Sequence, residues 1–232
     1  MAEKHLTPEI SAELSKRISL VRRDIGNMLF HFTRKPESDK VEIKHNLGYS
    51  SMPASASAVL EKILKEGNLK GGSKWYNGNT CISFFDTPIQ ELFSIFTLNI
   101  IATNEKERPR YEPYGLGINK KWLFSKGCRP VIYDHPSGFD SLSDEEKYRF
   151  MKYDPTNGID FTWEREWRIK TDHLRLDPKE TLVIVPTAEE AFEIVYQFSE
   201  VEPDCWDESG PSGYYHNPKW LAVSLDLFGF PI

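Results

Sequence analysis

Two carboxylates and a guanidinium stand at alternate positions in residues 161–169, which read Phe-Thr-Trp-Glu-Arg-Glu-Trp-Arg-Ile. If this segment is extended, successive side chains point to opposite faces, so Glu164, Glu166 and Arg168 share one face. Two carboxylates this close repel each other, which costs stability unless a cation such as Arg168 compensates. The pattern therefore indicates either a polar site in a solvent-filled cleft or an exposed strand with a self-satisfied glutamate–arginine pair.

The other face of the same segment carries Trp163, Arg165, Trp167 and Ile169. Its two tryptophans and its isoleucine suit a hydrophobic core, so we expect this face to be buried. The segment is thus predicted to be a strand that lies between the core and a cleft.

A histidine flanked by aromatic residues is the second candidate group. His31 follows Phe30 and precedes Phe32, and Thr33 lies on the same strand face as His31. Such a histidine either contacts a ligand or is buried with a backbone carbonyl as its hydrogen-bond partner.

The elements that must position these residues are strands and helices in irregular order. Strands are predicted at residues 28–33, 81–85, 114–118, 130–133, 161–169 and 181–186. Helices are predicted at residues 7–27, 58–66, 87–96, 120–125 and 188–198, with a further polar helix after Ser143. Residues 35–57 are polar and rich in turn formers, so we expect a loop. The irregular order favours one α+β domain.

Composition restricts the function classes. The chain of 232 residues has a net charge of −6, which gives no global case for binding nucleic acid or an acidic membrane. Three distant cysteines (Cys81, Cys128 and Cys205) support neither a disulfide framework nor a zinc site. The N-terminus lacks a signal-peptide core and no apolar run reaches membrane length, so we expect a cytoplasmic protein without a metal.

Along the chain, the candidate groups follow one another in this order: the His31 strand, a helix ended by Gly67, a strand with Ser83 and Phe84, and the carboxylate strand. This order resembles the ADP-ribosyltransferase fold, where a first-strand His or Arg, a central aromatic residue or Ser, and a late Glu surround NAD. The resemblance implies an ADP-ribosyltransferase-like split β-sheet core around a cleft in residues 29–232. Residues 1–28 would form a separate N-terminal helix.

A sharper resemblance is to the AbiGi-type abortive-infection family, whose members are described as antitoxins. Five motifs of that family recur in order: aromatic-His-aromatic-Thr, a Cys-phenylalanine strand before a Thr/Glu-x-Pro turn, Tyr-Gly-x-Gly with a nearby Trp-Leu, Pro-Val-x-Tyr, and Glu-Trp-Arg. They stand here at residues 30–33, 81–88, 114–123, 130–133 and 166–168. The match covers approximately residues 29–186.

The resemblance implies catalytic roles for two residues. Breaking the nicotinamide–ribose bond of NAD develops oxocarbenium character, which a carboxylate beside the ribose stabilises. Glu166 is the first choice for this carboxylate. Glu164 would orient the acceptor or act on it as a general base. Arg168 would keep the carboxylates ionised or bind a cofactor phosphate.

It also implies residues that hold NAD. His31 would donate a hydrogen bond to a ribose hydroxyl, with Thr33 beside it. Phe84, Phe85 or Tyr114 would stack on nicotinamide. Ser83 matches the Ser-containing transferases, which usually open with Arg, and Arg34 stands close enough to His31 to fill that position.

The leading hypothesis is an NAD-dependent ADP-ribosyltransferase, or an NAD-consuming glycohydrolase, in bacterial or phage conflict such as antiviral defence. Its target would be a protein or nucleic acid, with a cognate toxin or antitoxin as a possible partner. The second hypothesis is a non-catalytic antitoxin module that binds a basic protein through residues 189–208, which hold eight acids and no Lys or Arg. A carboxylate-dependent nuclease is the third hypothesis, and it would require a divalent metal.

Overall fold

The computed structural model describes residues 12, 15–17, 26–45, 48–75, 78–88, 91–92, 96, 111–204, 206–207, 210–211 and 213–230. Among these residues, three α-helices have defined ends: α1 (Ala56–Glu66), α2 (Lys120–Ser125) and α3 (Ala188–Gln197). The strands of the first half are β1 (Met28–Phe32), β2 (Lys40–His45), β3 (Gly48–Pro53), β4 (Asn68–Lys70), β5 (Gly72–Trp75), β6 (Asn79–Phe85), β7 (Gly115–Asn119), β8 (Arg129–Pro130) and β9 (Ile132–Asp134). Those of the second half are β10 (Phe150–Lys152), β11 (Glu166–Lys170), β12 (His173–Arg175), β13 (Thr181–Val185), β14 (Ser199–Pro203), β15 (Trp206–Asp207), β16 (Gly210–Pro211), β17 (Tyr214–Pro218) and β18 (Leu221–Ser224).

An eight-stranded mixed sheet organises the molecule, in the order β18-β13-β7-β1-β6-β11-β8, with β5 paired to β6. The β13–β18 pair is parallel, whereas the other pairs of this sheet are antiparallel. The predicted α+β class is confirmed at this level.

The pairing between β1 and β6, near the centre of the sheet, is short. Strand β1 pairs with β7 over five residues, but it shares only the register pair Phe30–Phe85 with β6. Two half-sheets therefore meet at this point, and β1 and β6 separate on the side where His31 and Thr33 follow.

Alternation along β1 places its residues in two apolar layers. Leu29 belongs to the main core, which packs Leu60 and Leu64 of α1 against the sheet. Phe30 and Phe32 point to the other face, where they pack with Phe85 in a second cluster. The short strand predicted here is confirmed, and burial on both faces explains why its sequence is a nearly continuous apolar run.

Helix α1 begins and ends on local signals in the sequence. The hydroxyl of Ser55 accepts a hydrogen bond from the Ala58 N–H, which caps the first turn. Gly67 ends the helix in the left-handed region at φ 62°, where glycine is favoured. The prediction of a helix that stops at Gly67 is confirmed.

Residues 35–57 are not the loop that we predicted. They contain the hairpin of β2 and β3 and the first residues of α1. Val41 and Ile43 are buried while Glu42 and Lys44 are exposed. We predicted a loop because the surrounding polar composition obscured the alternation of these two apolar residues in the sequence.

The polar helix predicted after Ser143 is also wrong, because residues 147–149 form only a single 3-10 turn before β10. The predicted strand at 130–133 is divided into β8 and β9. Of the predicted N-terminal helix, residues 12 and 15–17 are described and are helical. Of the helix predicted at 87–96, residues 91, 92 and 96 are helical, whereas the described residues 87 and 88 are not. Residues 26 and 27, at the end of the predicted N-terminal helix, are not helical either, and the other residues of both predicted helices lie outside the described residues.

The carboxylate segment is a strand only in its second half. Residues 162–164 form a 3-10 turn, Arg165 adopts a left-handed conformation at φ 45°, and β11 begins at Glu166. Trp163 consequently remains 44% exposed instead of joining the core, whereas Ile169 is buried as predicted. The prediction of one strand over 161–169 is corrected to this extent.

Candidate active site

A cavity of about 650 Å³ lies where β1 and β6 separate, between the sheet and α1. Eight of the ten candidate residues line it: His31, Thr33, Arg34, Ser83, Phe84, Phe85, Glu164 and Glu166. They come from three strands and two turns that are far apart in sequence. Arg168 and Tyr114 are the two candidates that do not line it.

Glu166 is held by a buried ion pair. The guanidinium of Arg168 donates from Nε to one Glu166 oxygen at 2.8 Å and from Nη2 to the other at 2.9 Å. Arg168 is fully buried and also donates from Nη1 to the backbone oxygens of Tyr148 and Phe150. The self-satisfied pair is therefore present, but it is buried rather than exposed. Arg168 is not available to a cofactor phosphate, which corrects that prediction.

The backbone of Glu166 is fixed as well. Its N–H donates to the phenol oxygen of Tyr133 at 2.9 Å. Burial, together with the Glu166 and Glu164 carboxylates, raises the pKa of Tyr133 to about 12, although the hydrogen bond from Glu166 and the charge of Arg168 oppose the rise. Tyr133 is thus a neutral phenol at physiological pH that positions the first residue of β11.

Glu164 reaches the cavity although it does not belong to β11. The left-handed Arg165 turns the chain between the two glutamates, so that both line the same cavity. The phenol of Tyr111 donates to a Glu164 oxygen at 3.2 Å, and the Tyr111 ring packs edge-on against Phe85 at 4.6 Å. Sequence reasoning missed Tyr111, because no motif links it to a residue 53 positions away.

His31 is a half-buried residue with a fixed tautomer. Its Nδ1 lies 2.9 Å from the backbone oxygen of Ser83, and since a carbonyl only accepts, Nδ1 carries the proton. Burial lowers the pKa of His31, against the opposing effect of this hydrogen bond, so the neutral ring is favoured. Its Nε2 is then an acceptor. The prediction that His31 donates to a ribose hydroxyl is replaced by one in which it accepts.

Three other candidates differ in what they can offer. The Thr33 hydroxyl is 2.9 Å from the backbone oxygens of both Ala56 and Tyr114, so its proton is used in hydrogen bonds to the backbone. The Tyr114 phenol donates to Glu190 of α3 at 2.6 Å, outside the cavity, which corrects its predicted stacking role. The hydroxyl of Ser83 is buried without a hydrogen-bond partner among the described residues, and it is a polar group in the cavity wall.

Charges in the cavity are separated. Three cations, Arg34, Lys62 and Lys70, line its solvent side, where Glu66 contacts Lys70 at 2.8 Å and Lys62 at 4.0 Å. The two site carboxylates are buried, at 2% and 5% exposure for Glu164 and Glu166 respectively. The cavity thus has a positive entrance and a carboxylate-bearing interior.

The wall between these ends is aromatic. Phe32, Phe84, Phe85 and Tyr111 line it, and the first three are buried. The ring of His31 packs tilted against Phe84, with a centroid distance of 5.8 Å. A planar aromatic ligand would therefore find rings on several sides.

Two further findings concern the described residues as a whole. They contain no group of three His, Cys, Asp or Glu side chains that could hold a metal ion. None of their helices has the length and apolar character needed to cross a membrane. Cys81 and Cys128 are buried free thiols, as predicted, and burial raises the pKa of both.

Comparison with known proteins gives no family assignment. No protein-family model matches the chain, and no curated protein or solved structure matches it either.

Proposed function

We propose that the chain consumes NAD, as an ADP-ribosyltransferase or NAD glycohydrolase of the AbiGi-type abortive-infection kind, in cytoplasmic bacterial or phage conflict. The observation that carries the proposal is the cavity at the junction of the half-sheets. It gathers His31, Ser83 and both glutamates, which are residues that the resemblance implies for an NAD site. The separation of β1 from β6 supports a split-sheet core of the transferase type.

The charges of the cavity complement those of NAD. The dinucleotide has an anionic diphosphate and a cationic nicotinamide ring. Arg34, Lys62 and Lys70 at the entrance would bind the diphosphate, while the aromatic wall and the two interior carboxylates would receive the nicotinamide ribose. The neutral His31 would accept a hydrogen bond from a ribose hydroxyl at Nε2.

The proposed reaction breaks the bond between ribose C1′ and the nicotinamide nitrogen. The electron pair leaves with nicotinamide, which becomes neutral, and the ribose carries the oxocarbenium charge. Glu166, held in position by two hydrogen bonds from Arg168, would stabilise that charge. Water or a macromolecular nucleophile then attacks C1′, and its proton passes to Glu164 as general base.

Nicotinamide release tests this proposal without knowledge of the macromolecular target. The purified chain is incubated with NAD, free nicotinamide is measured by chromatography, and NAD binding is measured by calorimetry. We expect Glu166→Gln and Glu164→Gln each to reduce the rate about 10²–10³-fold, as for the loss of one transition-state-stabilising group. Glu42→Gln makes the same change at an exposed strand position outside the cavity and should leave the rate unchanged.

The outcomes separate the hypotheses. Absence of NAD binding to the folded chain would overturn the proposal. Binding without nicotinamide release, with or without candidate protein and nucleic-acid acceptors, would leave a binding module and overturn the catalytic part. Release that both glutamine variants retain would exclude these carboxylates as the catalytic pair.

A further inference from the structure

Several exposed large apolar side chains lie between residues 192 and 221 of the sequence. Six of them belong to α3 and to the strands beside it: Phe192, Tyr196, Val201, Tyr214, Tyr215 and Leu221. On α3, Glu189, Phe192, Glu193 and Tyr196 are all exposed and stand at helical spacings of three and four residues. One face of α3 thus presents two aromatic rings between carboxylates, although a solvated helix face is normally polar.

The aromatic face of α3 continues onto the ribbon formed by β14 and β17. Tyr196 stacks on His216 of β17, with a centroid distance of 5.0 Å. His216 stands opposite Val201 of β14, and both strands are exposed along nearly their whole length. An isolated two-stranded ribbon is only marginally stable in water. We call the surface made by Phe192, Tyr196, Val201 and His216 the aromatic ridge.

The ridge is bordered by exposed carboxylates. Glu189, Glu193, Glu200 and Glu202 are exposed, and none forms an ion pair with a described residue. These four exposed carboxylates make the border of the ridge negative. Nucleic acid and anionic lipid would be repelled, whereas a cationic partner would be attracted.

We propose that the aromatic ridge is a docking surface for a basic, amphipathic segment of another protein. The apolar side chains of that segment would cover Phe192, Tyr196 and Val201, and its Lys and Arg side chains would pair with the surrounding carboxylates. This proposal requires nothing of the NAD cavity, so each can fail without the other.

A peptide of stated composition tests the docking surface. A peptide of about 20 residues with Lys along one face and Leu and Trp along the other is titrated into the full chain by calorimetry, and its dissociation constant is compared with that of a Glu-for-Lys version. We expect the basic peptide to bind, more weakly as salt increases, and the acidic version not to bind.

Variants on exposed positions locate the binding. Phe192→Ser with Tyr196→Ser, and separately Glu189→Lys with Glu193→Lys, should each raise the dissociation constant about tenfold or more. Tyr49→Ser is the matched control, because Tyr49 is 72% exposed on β3 and Tyr196 is 71% exposed. It should leave the dissociation constant unchanged, and circular dichroism should show each variant folded.

Several results would overturn the docking proposal. These are failure of the basic peptide to bind at about 1 mM, equal binding of both peptides, and binding that the α3 variants do not weaken. Concentration-dependent dimerisation of the chain that Phe192→Ser with Tyr196→Ser abolishes would instead assign the ridge to a second copy.

Discussion

Arg168 should be the cation on which the stability of the site depends most. It is fully buried and makes four hydrogen bonds, two to Glu166 and two to the backbone oxygens of Tyr148 and Phe150. Arg168→Met would leave the Glu166 carboxylate buried without a counter-charge, which typically costs about 3–5 kcal/mol. For a domain of this size, that loss lowers the melting temperature by about 6–20 °C.

The double variant tests whether the cost arises from the unpaired charge. Glu166→Gln combined with Arg168→Met removes both charges and keeps similar volumes, so it should be about 1–3 kcal/mol more stable than Arg168→Met alone. It should remain below the wild type, because the backbone oxygens of Tyr148 and Phe150 still lose the hydrogen bonds from Arg168. Stabilities are measured by urea unfolding, followed by circular dichroism and tryptophan fluorescence.

A surface pair gives the control for this cycle. Lys147 contacts Asp144, whose side chain is 91% exposed, so Lys147→Met should leave the unfolding midpoint nearly unchanged. The reasoning is refuted if Arg168→Met unfolds within about 1 kcal/mol of the wild type, or if the Glu166 and Arg168 effects simply add.

Two further predictions follow from the geometry around β1. Because burial lowers the pKa of His31, protonation of this residue favours the unfolded chain. The free energy of unfolding should therefore fall as the pH drops below about 6.5. His31→Gln should reduce that pH dependence, as measured by urea titrations at pH 7 and pH 5. A constant difference between wild type and variant over this range would contradict it. Gly115→Ala places a Cβ 2.5 Å from the backbone oxygen of His31 and 2.6 Å from a ring carbon of Phe32, so it should lower the melting temperature measured by calorimetry. In Gly138→Ala the atoms nearest to the new Cβ belong to the movable side chain of Asp134, so this control variant should lower the melting temperature less.

The elements with a strong local signal were predictable from sequence. The α1 helix has a capping serine, an apolar stripe and a stop glycine, and β13 is a short apolar run, so both could be bounded closely. The β2–β3 hairpin was missed because only Val41 and Ile43 are apolar in a polar stretch. Their burial is a tertiary effect that composition does not reveal.

Most of the candidate residues predicted from the sequence line the cavity, but the burial of the Glu166–Arg168 ion pair was not predictable. The alternation of Glu166 and Arg168 correctly placed both side chains on one face of β11. It could not show that Phe150 and Tyr148 would close over that face and supply backbone acceptors to Arg168. The pair became buried because a segment 18–20 residues away packs against it, which no local pattern encodes.

Glu164 illustrates the opposite case, in which a wrong local prediction led to the correct location. Strict alternation required an extended chain at residues 164–166, but Arg165 is left-handed. A left-handed residue other than glycine costs free energy and persists only where surrounding contacts impose it. Here the result is that two carboxylates from a turn and a strand line one cavity, and the Tyr111 hydrogen bond contributes to holding Glu164 there.

Helix α1 connects the cavity to the proposed docking surface. Its Val59, Lys62 and Ile63 line the cavity, while Glu61 accepts a hydrogen bond from Gln197 at the end of α3, at 2.9 Å. A helix with its side chains is about 10–12 Å across, so the Gln197 end of α3 lies roughly one helix diameter from the cavity. If both proposals hold, the aromatic ridge would bring a basic protein close to bound NAD, which is where a macromolecular acceptor must be for transfer to compete with water.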